Sequence, residues 1–294
     1  MKSFYVPFVL SKEIRNSNIL KTNQLNGSWV ALISKFIYKK PLIIRTGYDL
    51  YEFSKMNKKN LIILIFHYIL TKISLFYSNI YLVTSKADLN RLKKISIKHL
   101  NKVVIRPNWV KINITKNLSE RYNNKIISVG RLEKQKDYIF LIRGLENTNY
   151  HIDIFGEGTL RDKLIDLSKT SGLELEIYDP VPNKELLKIL NNYKVFISTS
   201  KFEGNPKAVL EAMGSGCIVI ARKSENVKEI ISNNVNGFLI NDEDELRKIV
   251  NKIMMDEIDF EKISKNAIEF VVNNNSLEKS VIDEFNDYKR LNSS

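Results

Sequence analysis

The chain has 294 residues, 44% of them hydrophobic and 27% charged, a globular balance that excludes disorder over most of its length. One cysteine, Cys217, excludes an internal disulfide, and three scattered histidines beside it offer no zinc-ligand pattern. A formal net charge of +13 points to an anionic partner such as nucleic acid, an acidic bilayer surface or a phosphorylated substrate.

Lysine, asparagine and isoleucine are abundant throughout, so compositional drift is an alternative source of the charge, which reads as spread along the chain. No arginine-rich tract or aromatic RNA-binding motif accompanies it, which argues against nucleic acid as a partner. Residues 1–10 lack the long apolar core and small-residue cleavage site of a secretory signal. The most apolar stretch is 61–70, and Lys72 interrupts it short of bilayer-spanning length. It reads as a buried helix of an α/β domain, with an interfacial segment preceded by Lys55, Lys58 and Lys59 as the alternative.

Short apolar runs alternate with longer amphipathic segments, the pattern of βαβ units and a parallel sheet. The first part predicts strands over 19–22, 42–45, 80–84 and 103–105, and helices over 28–39, 61–77 and 86–95, with Ser85 as a cap. Between 108 and 124 the text turns polar and loses periodicity, as a linker does. A second series predicts strands over 126–129, 151–155, 173–178, 195–198, 217–221 and 238–240. Its helices fall over 138–145, 159–171, 184–191, 207–213, 227–232, 242–255 and 259–273, and a last one spans 277–291.

The richest stretch is 198–221, STSKFEGNPKAVLEAMGSGCIVIA. A strand ends at Ser198, a loop carries Glu203 and Gly204, and Asn205-Pro206 signals a helix start, with Asn205 expected as the cap. A helix N-terminus leaves backbone N–H groups unpaired and partly positive, a seat for phosphate or sugar oxygens. Glu211 follows about 7 Å along the axis from Pro206, so the two acids can hold different parts of one long ligand. An ordinary β-loop-α unit with a solvent-facing and a packed glutamate is the plainer alternative.

In 126–145, IISVGRLEKQKDYIFLIRGL, a strand ends at Gly130, and Arg131 and Lys136 follow before the next helix. Ligands of open α/β sheets bind outside the carboxyl ends of the strands, and two cations there suit a diphosphate. A solvated basic loop is the alternative. IFGEGTL, with Gly156, and the turn YDPVPN, from Tyr178 through Val181, are further strand ends; the G-x-G is weak evidence alone.

In this order the segments resemble glycosyltransferase family 4, the glycosyl transferases group 1, of the GT-B fold. They run VGRL with QKD, then FGEG, a VP turn, EGNP with Glu211 eight positions after Glu203, and EIISNNVNGFLI. The resemblance extends over about 18–240 and is strongest over 126–240. VTSKADLNRL and VIRPNWV match too, although Trp109 stands where glycine is usual.

The resemblance implies an α/β protein of two Rossmann-like domains. The N-terminal one (1–112) is incomplete, because the opening strand and glycine-rich loop of the family are not found. The C-terminal one (113–275) is complete and binds the nucleotide sugar, and a terminal helix (276–294) is expected to pack back on the first. It implies that Arg131 and Lys136 hold the donor diphosphate and that Glu203 lies near the donor sugar hydroxyls, these three being the catalytic set. Asn205 and Pro206 would present backbone groups, Glu211 would bind the ribose, and Gly130, Gly156, Tyr178, Val181 and Gly204 would border the donor. Asp49, in RTGYDL, stands near the place of a family histidine on the acceptor side.

The expected activity is retaining transfer of a sugar, of hexosyltransferase type, to a glycan or lipid-linked acceptor in cell-surface polysaccharide synthesis. Neither metal nor other cofactor is expected besides the nucleotide-diphosphate sugar. The expected place is the cytoplasm, at the inner face of an anionic membrane. A non-catalytic nucleotide-sugar-binding remnant or fragment of such an enzyme is the alternative.

Overall fold

The computed structural model describes residues 2–292. The chain divides into two compact units, one made of the residues up to Asn108 with those from Ser280 on, the other of Trp109–Lys279.

The first unit opens with two short helices, α1 (Val6–Val9) and α2 (Ser11–Asn16). It continues through β1 (Leu20–Thr22), α3 (Ser28–Tyr38), β2 (Leu42–Arg45), α4 (Leu50–Met56), α5 (Leu61–Tyr77), β3 (Ile80–Val83), α6 (Lys86–Ile95) and β4 (Val103–Ile105). The strands form a parallel sheet in the order β1-β2-β3-β4. Leu42, Ile43, Ile44 and Ile80 are buried on both faces, which is why these strands read as unbroken apolar runs. Side-chain caps start the helices: Asp49 accepts from the Glu52 amide, Asn60 from Ile63 and Ser85 from Asp88, each at 3.0 Å. From α13 (Leu277–Asn292), Tyr288 and Leu291 pack against Ile43, Ile80 and Leu82. Arg106, just past β4, grips Asp287 of that helix through two hydrogen bonds of 2.9 and 2.8 Å. Helices α1, α2 and α4 lie where no helix is predicted, their few turns too short to carry a periodic signal.

The second unit alternates β5 (Tyr122–Val129), α7 (Tyr138–Gly144), β6 (His151–Phe155), α8 (Arg161–Thr170), β7 (Glu174–Tyr178), α9 (Asn183–Leu190), β8 (Tyr193–Ser198), α10 (Lys207–Gly214), β9 (Ile218–Arg222) and β10 (Phe238–Ile240). It closes with α11 (Glu243–Met254) and α12 (Phe260–Asn275). Its parallel sheet has the order β10-β9-β8-β5-β6-β7. Alternate residues of each strand feed two cores: Ile126, Ile152, Ile154 and Val195 on one face, Ile127, Phe155 and Phe196 on the other.

The chain thus runs outward from β5 to β7, returns to β8 on the other side, and runs outward again to β10. The β5/β8 boundary is where the strand order reverses, the place at which open α/β sheets bind ligands.

Two expectations are corrected. The polar stretch predicted over 108–124 as a linker is, from Trp109 on, built into the second unit: Val110 is buried and bridges to Ser276, and β5 begins at Tyr122, before the stretch ends. The helix expected over 227–232 is only a 3-10 turn at Val227–Glu229. There the Asn236 side chain takes over, donating to the Ile230 carbonyl at 3.1 Å and accepting from the Ser232 amide at 2.7 Å.

Candidate functional site

Two loops flank the reversal point, 130–137 after β5 and 199–206 after β8. They are laced together. The Lys201 amide donates to the Gln135 carbonyl, the Gln135 side chain to the Phe202 carbonyl, and the Thr199 hydroxyl to the Lys136 carbonyl, each at 2.9 Å. Asp137, in the left-handed region at φ +51°, is gripped by Arg222 at 2.7 Å and Lys201 at 3.2 Å. The lacing holds the Lys136 ammonium 2.5 Å from the Glu203 carboxylate, with both side chains largely buried. Partial burial keeps such a pair less screened than a surface one.

Beside this pair a cavity of about 280 Å³ opens at the carboxyl ends of β5, β6 and β7, bordered by Gly130, Arg131, Phe155, Gly156, Val181 and Leu186 among others. Its floor is aromatic: the Phe155 ring stacks on Tyr178, centroids 4.7 Å apart at 14°. Its wall requires glycine. A Cβ on Gly156 would lie 2.0 Å from the Gly130 carbonyl oxygen, so the two strand ends approach as bare backbone. Gly130 has φ +153°, and the arm of Lys136 crosses it, Cε lying 2.8 Å from where a Cβ would stand.

Glu211, on α10, is 4% exposed. It accepts from the Asn183 amide at 2.7 Å, while Lys207 stands 3.6 Å away. Burial raises its pKa from the ordinary value, Lys207 and Asn183 opposing the shift. Asn183 starts α9, the helix whose Leu186 lines the cavity, so that hydrogen bond ties Glu211 to this helix.

Of the residues singled out in the sequence, Gly130, Arg131, Gly156 and Val181 border the cavity. Lys136 and Glu203 pair beside it, and Tyr178 supports it from below. Gly204 continues the Glu203 loop, and Asn205 is buried. Pro206, not Asn205, occupies the position before α10, its carbonyl accepting from the Leu210 amide at 3.2 Å. Asp49 lies in the other unit as the cap of α4, and burial raises its pKa. Sequence reasoning gave no role to Phe155, Asn183, Gln135 or Arg222. The first three stand in the FGEG, YDPVPN and QKD segments it quoted, whereas Arg222 differs from an ordinary loop residue only through its partner Asp137.

One group of ligand-type atoms, His151, Asp153 and Glu176, gathers within 4.8 Å at the amino ends of β6 and β7, away from the cavity. The buried Asp153 carboxylate is already taken by the Tyr193 hydroxyl at 2.5 Å and His151 at 2.9 Å.

The glycosyl transferases group 1 family model matches residues 111–270, over half of the chain. An uncharacterized glycosyltransferase of Methanocaldococcus jannaschii is 30% identical over 165 residues, 49% of this chain and 40% of that protein. The N-acetylgalactosamine-N,N'-diacetylbacillosaminyl-diphospho-undecaprenol 4-alpha-N-acetylgalactosaminyltransferase of Campylobacter jejuni is 31% identical over 122 residues, 39% and 32% of the respective chains. The matches thus span well under half the length of these relatives. Among solved structures, Anabaena HepE, crystallised with UDP and glucose, superposes with a TM-score of 0.83 over 98% of this chain and 82% of that one at 17% identity, a likeness of fold. That fold is GT-B, two Rossmann-like domains. With parallel sheets, a cavity at the carboxyl ends of β5, β6 and β7 and a family match over that same unit, the chain belongs to the glycosyl transferases group 1.

Proposed function

We propose that the chain is a retaining family 4 glycosyltransferase of hexosyltransferase type. It would move a sugar from a nucleotide-diphosphate sugar to a glycan or lipid-linked acceptor in cell-surface polysaccharide synthesis. The observation that carries the reading is the Lys136–Glu203 pair at the sheet's reversal point, beside a cavity whose mouth carries Arg131. The aromatic floor under the bare backbone of Gly130 and Gly156 suits a flat base. Glu211, tied to Asn183, is the acid for the ribose hydroxyls. Arg131 and Lys136 would meet the diphosphate, and Glu203 would turn from Lys136 toward the donor sugar, with Gly204, Asn205 and Pro206 alongside.

As the acceptor oxygen bonds to the anomeric carbon and the sugar–phosphate bond breaks, negative charge grows on the departing nucleoside diphosphate, whose phosphate oxygen takes up the hydroxyl proton. Cations already in place stabilise that charge without reorganising. No residue in this scheme calls for a metal. The Campylobacter relative's name specifies a diphospho-undecaprenol acceptor, which supports a lipid-linked acceptor and a station at the cytoplasmic membrane face, where Asp49 stands as an acceptor-side candidate. The test is transfer or donor hydrolysis by the full chain across a panel of nucleotide sugars. Turnover that vanishes in both Lys136→Ala and Glu203→Ala supports the reading; nucleotide binding without turnover in the parent chain favours a binding remnant.

A further inference from the structure

The positive charge is not spread along the chain, as the composition suggests, but sits in one unit. Residues up to Asn108 with those from Ser280 on hold 21 Lys and Arg against 7 Asp and Glu, net +14, whereas Trp109–Lys279 holds 25 against 26, net −1. An anion-seeking surface is therefore a property of the first unit and not of the unit bearing the cavity.

The same unit carries a helix that is apolar on its outer face as well as its inner one. α5 buries Leu70, Thr71, Ser74 and Leu75, yet exposes Leu61, Ile62, Ile65, Phe66, Ile69 and Phe76, with Ile62 at 78%. A surface helix ordinarily turns its polar residues to water, and an apolar stripe along several turns marks an interaction surface. Neighbouring helices widen it. Phe66 meets Trp29 of α3 edge-on at 6.0 Å, Trp29 stacks on Phe4 at 6.4 Å, and Phe36 of α3 meets Tyr77 at 4.8 Å.

Basic groups frame the stripe. Lys55, Lys58 and Lys59 precede its amino end. Lys72 stands 4.6 Å over the Tyr68 ring, and Lys102 donates to the Phe76 and Ser78 carbonyls at 2.7 Å. Lys72, Lys98 and His99 share a cavity of about 430 Å³ with the apolar Ile73 and Phe76. A second copy of this chain would set +14 against +14 and one lysine rim against another. An anionic bilayer offers both things the face requires, negative headgroups for the rim and hydrocarbon for the stripe. Among the described residues no helix is long and apolar enough to cross a membrane, and α5, with Lys72 within it, suits lying in the interface.

We infer that α5, with α3 and the turn that carries Phe4 beside it, docks in the headgroup layer of an anionic phospholipid bilayer, the Lys72–Lys98 cavity taking a lipid phosphate. This deepens the reading above and rests on it only for the acceptor's location.

The test is co-sedimentation of the full chain, without nucleotide, with phosphatidylglycerol-containing and pure phosphatidylcholine vesicles. Binding is expected to the first alone and to weaken with salt. Lys58→Ala with Lys59→Ala should lower the partition coefficient roughly thirtyfold, and Ile62→Glu with Ile65→Glu should abolish binding. Nucleoside diphosphate affinity in solution should be unchanged in both variants, so failure at the donor site and failure at this face are read separately. Absence of binding to the anionic vesicles, equal binding to both compositions, or undiminished binding by both double variants would overturn the inference. So would light scattering that shows a parent dimer made monomeric by Ile62→Glu with Ile65→Glu, which would assign the face to a second copy.

Discussion

The ammonium of Lys136 lies 2.5 Å from a carboxylate oxygen of Glu203, although 67 residues separate them in sequence. They meet because the strands before them, β5 and β8, are neighbours in the sheet. Lys136→Ala and Glu203→Ala should each lower turnover by about a hundredfold or more, the usual cost of removing one electrostatic group from a transfer site. Their stability cost should be about 1–3 kcal/mol, since each substitution leaves a largely buried charged group without its partner. Steady-state kinetics beside urea unfolding separates the two effects.

Gly156→Ala should be the most damaging small substitution near the cavity, because the new methyl would meet the Gly130 carbonyl at 2.0 Å and backbone must move. We expect a loss of about 2–3 kcal/mol and a melting temperature lower by roughly 5–10 °C. Gly47→Ala is the control: nothing lies within 4 Å of its Cβ position, and its melting temperature should match the parent's.

Glu211→Gln should stabilise the fold at neutral pH. Burial raises the folded-state pKa of Glu211 above its ordinary 4.5, so the stability linked to its proton is fully present below pH 4.5 and lost as pH rises through the folded value. The glutamine keeps the hydrogen bond from Asn183 and carries no charge to desolvate. Denaturant midpoints should favour the variant at pH 7 and converge with the parent's below pH 4.5, while nucleotide affinity falls.

Arg106→Ala should loosen the last helix from its sheet. Asp287 is 5% exposed and receives two hydrogen bonds from that guanidinium, so removing the partner strands a buried carboxylate at a cost of about 3 kcal/mol. Arg161→Ala, which breaks an exposed pair with Asp179, should cost at most about 1 kcal/mol. Equal urea midpoints for the two variants would contradict this account of the α13 contact.

Much of this fold is legible in the chain itself. The strands at Leu42–Arg45, His151–Phe155 and Phe238–Ile240 fall where apolar runs predict them, because strands of a covered parallel sheet have no polar face to interrupt the run. Legibility fails where side chains decide the backbone. Asn236 replaces a helix after Glu229 with its own hydrogen bonds, and Pro206 takes the position expected of Asn205. The site divides the same way. Strand-end loops and their cations are local features, whereas the pairing of Glu211 with Asn183 and of Asp137 with Arg222 spans 28 and 85 residues and follows from strand order. The charge misled for a related reason: composition gives its total, and only the division into units reveals that one of them carries it.

The central claim is that Arg131 and Lys136 receive a diphosphate at the reversal point of the second sheet. Calorimetric titration of the full chain and of Arg131→Ala and Lys136→Ala with UDP, GDP, ADP and dTDP tests it most directly. The account predicts that at least one nucleoside diphosphate binds the parent and that each variant binds it at least about tenfold more weakly, the loss of a charge-assisted contact. Unchanged affinity in both variants, or no binding by any of the four, would contradict it.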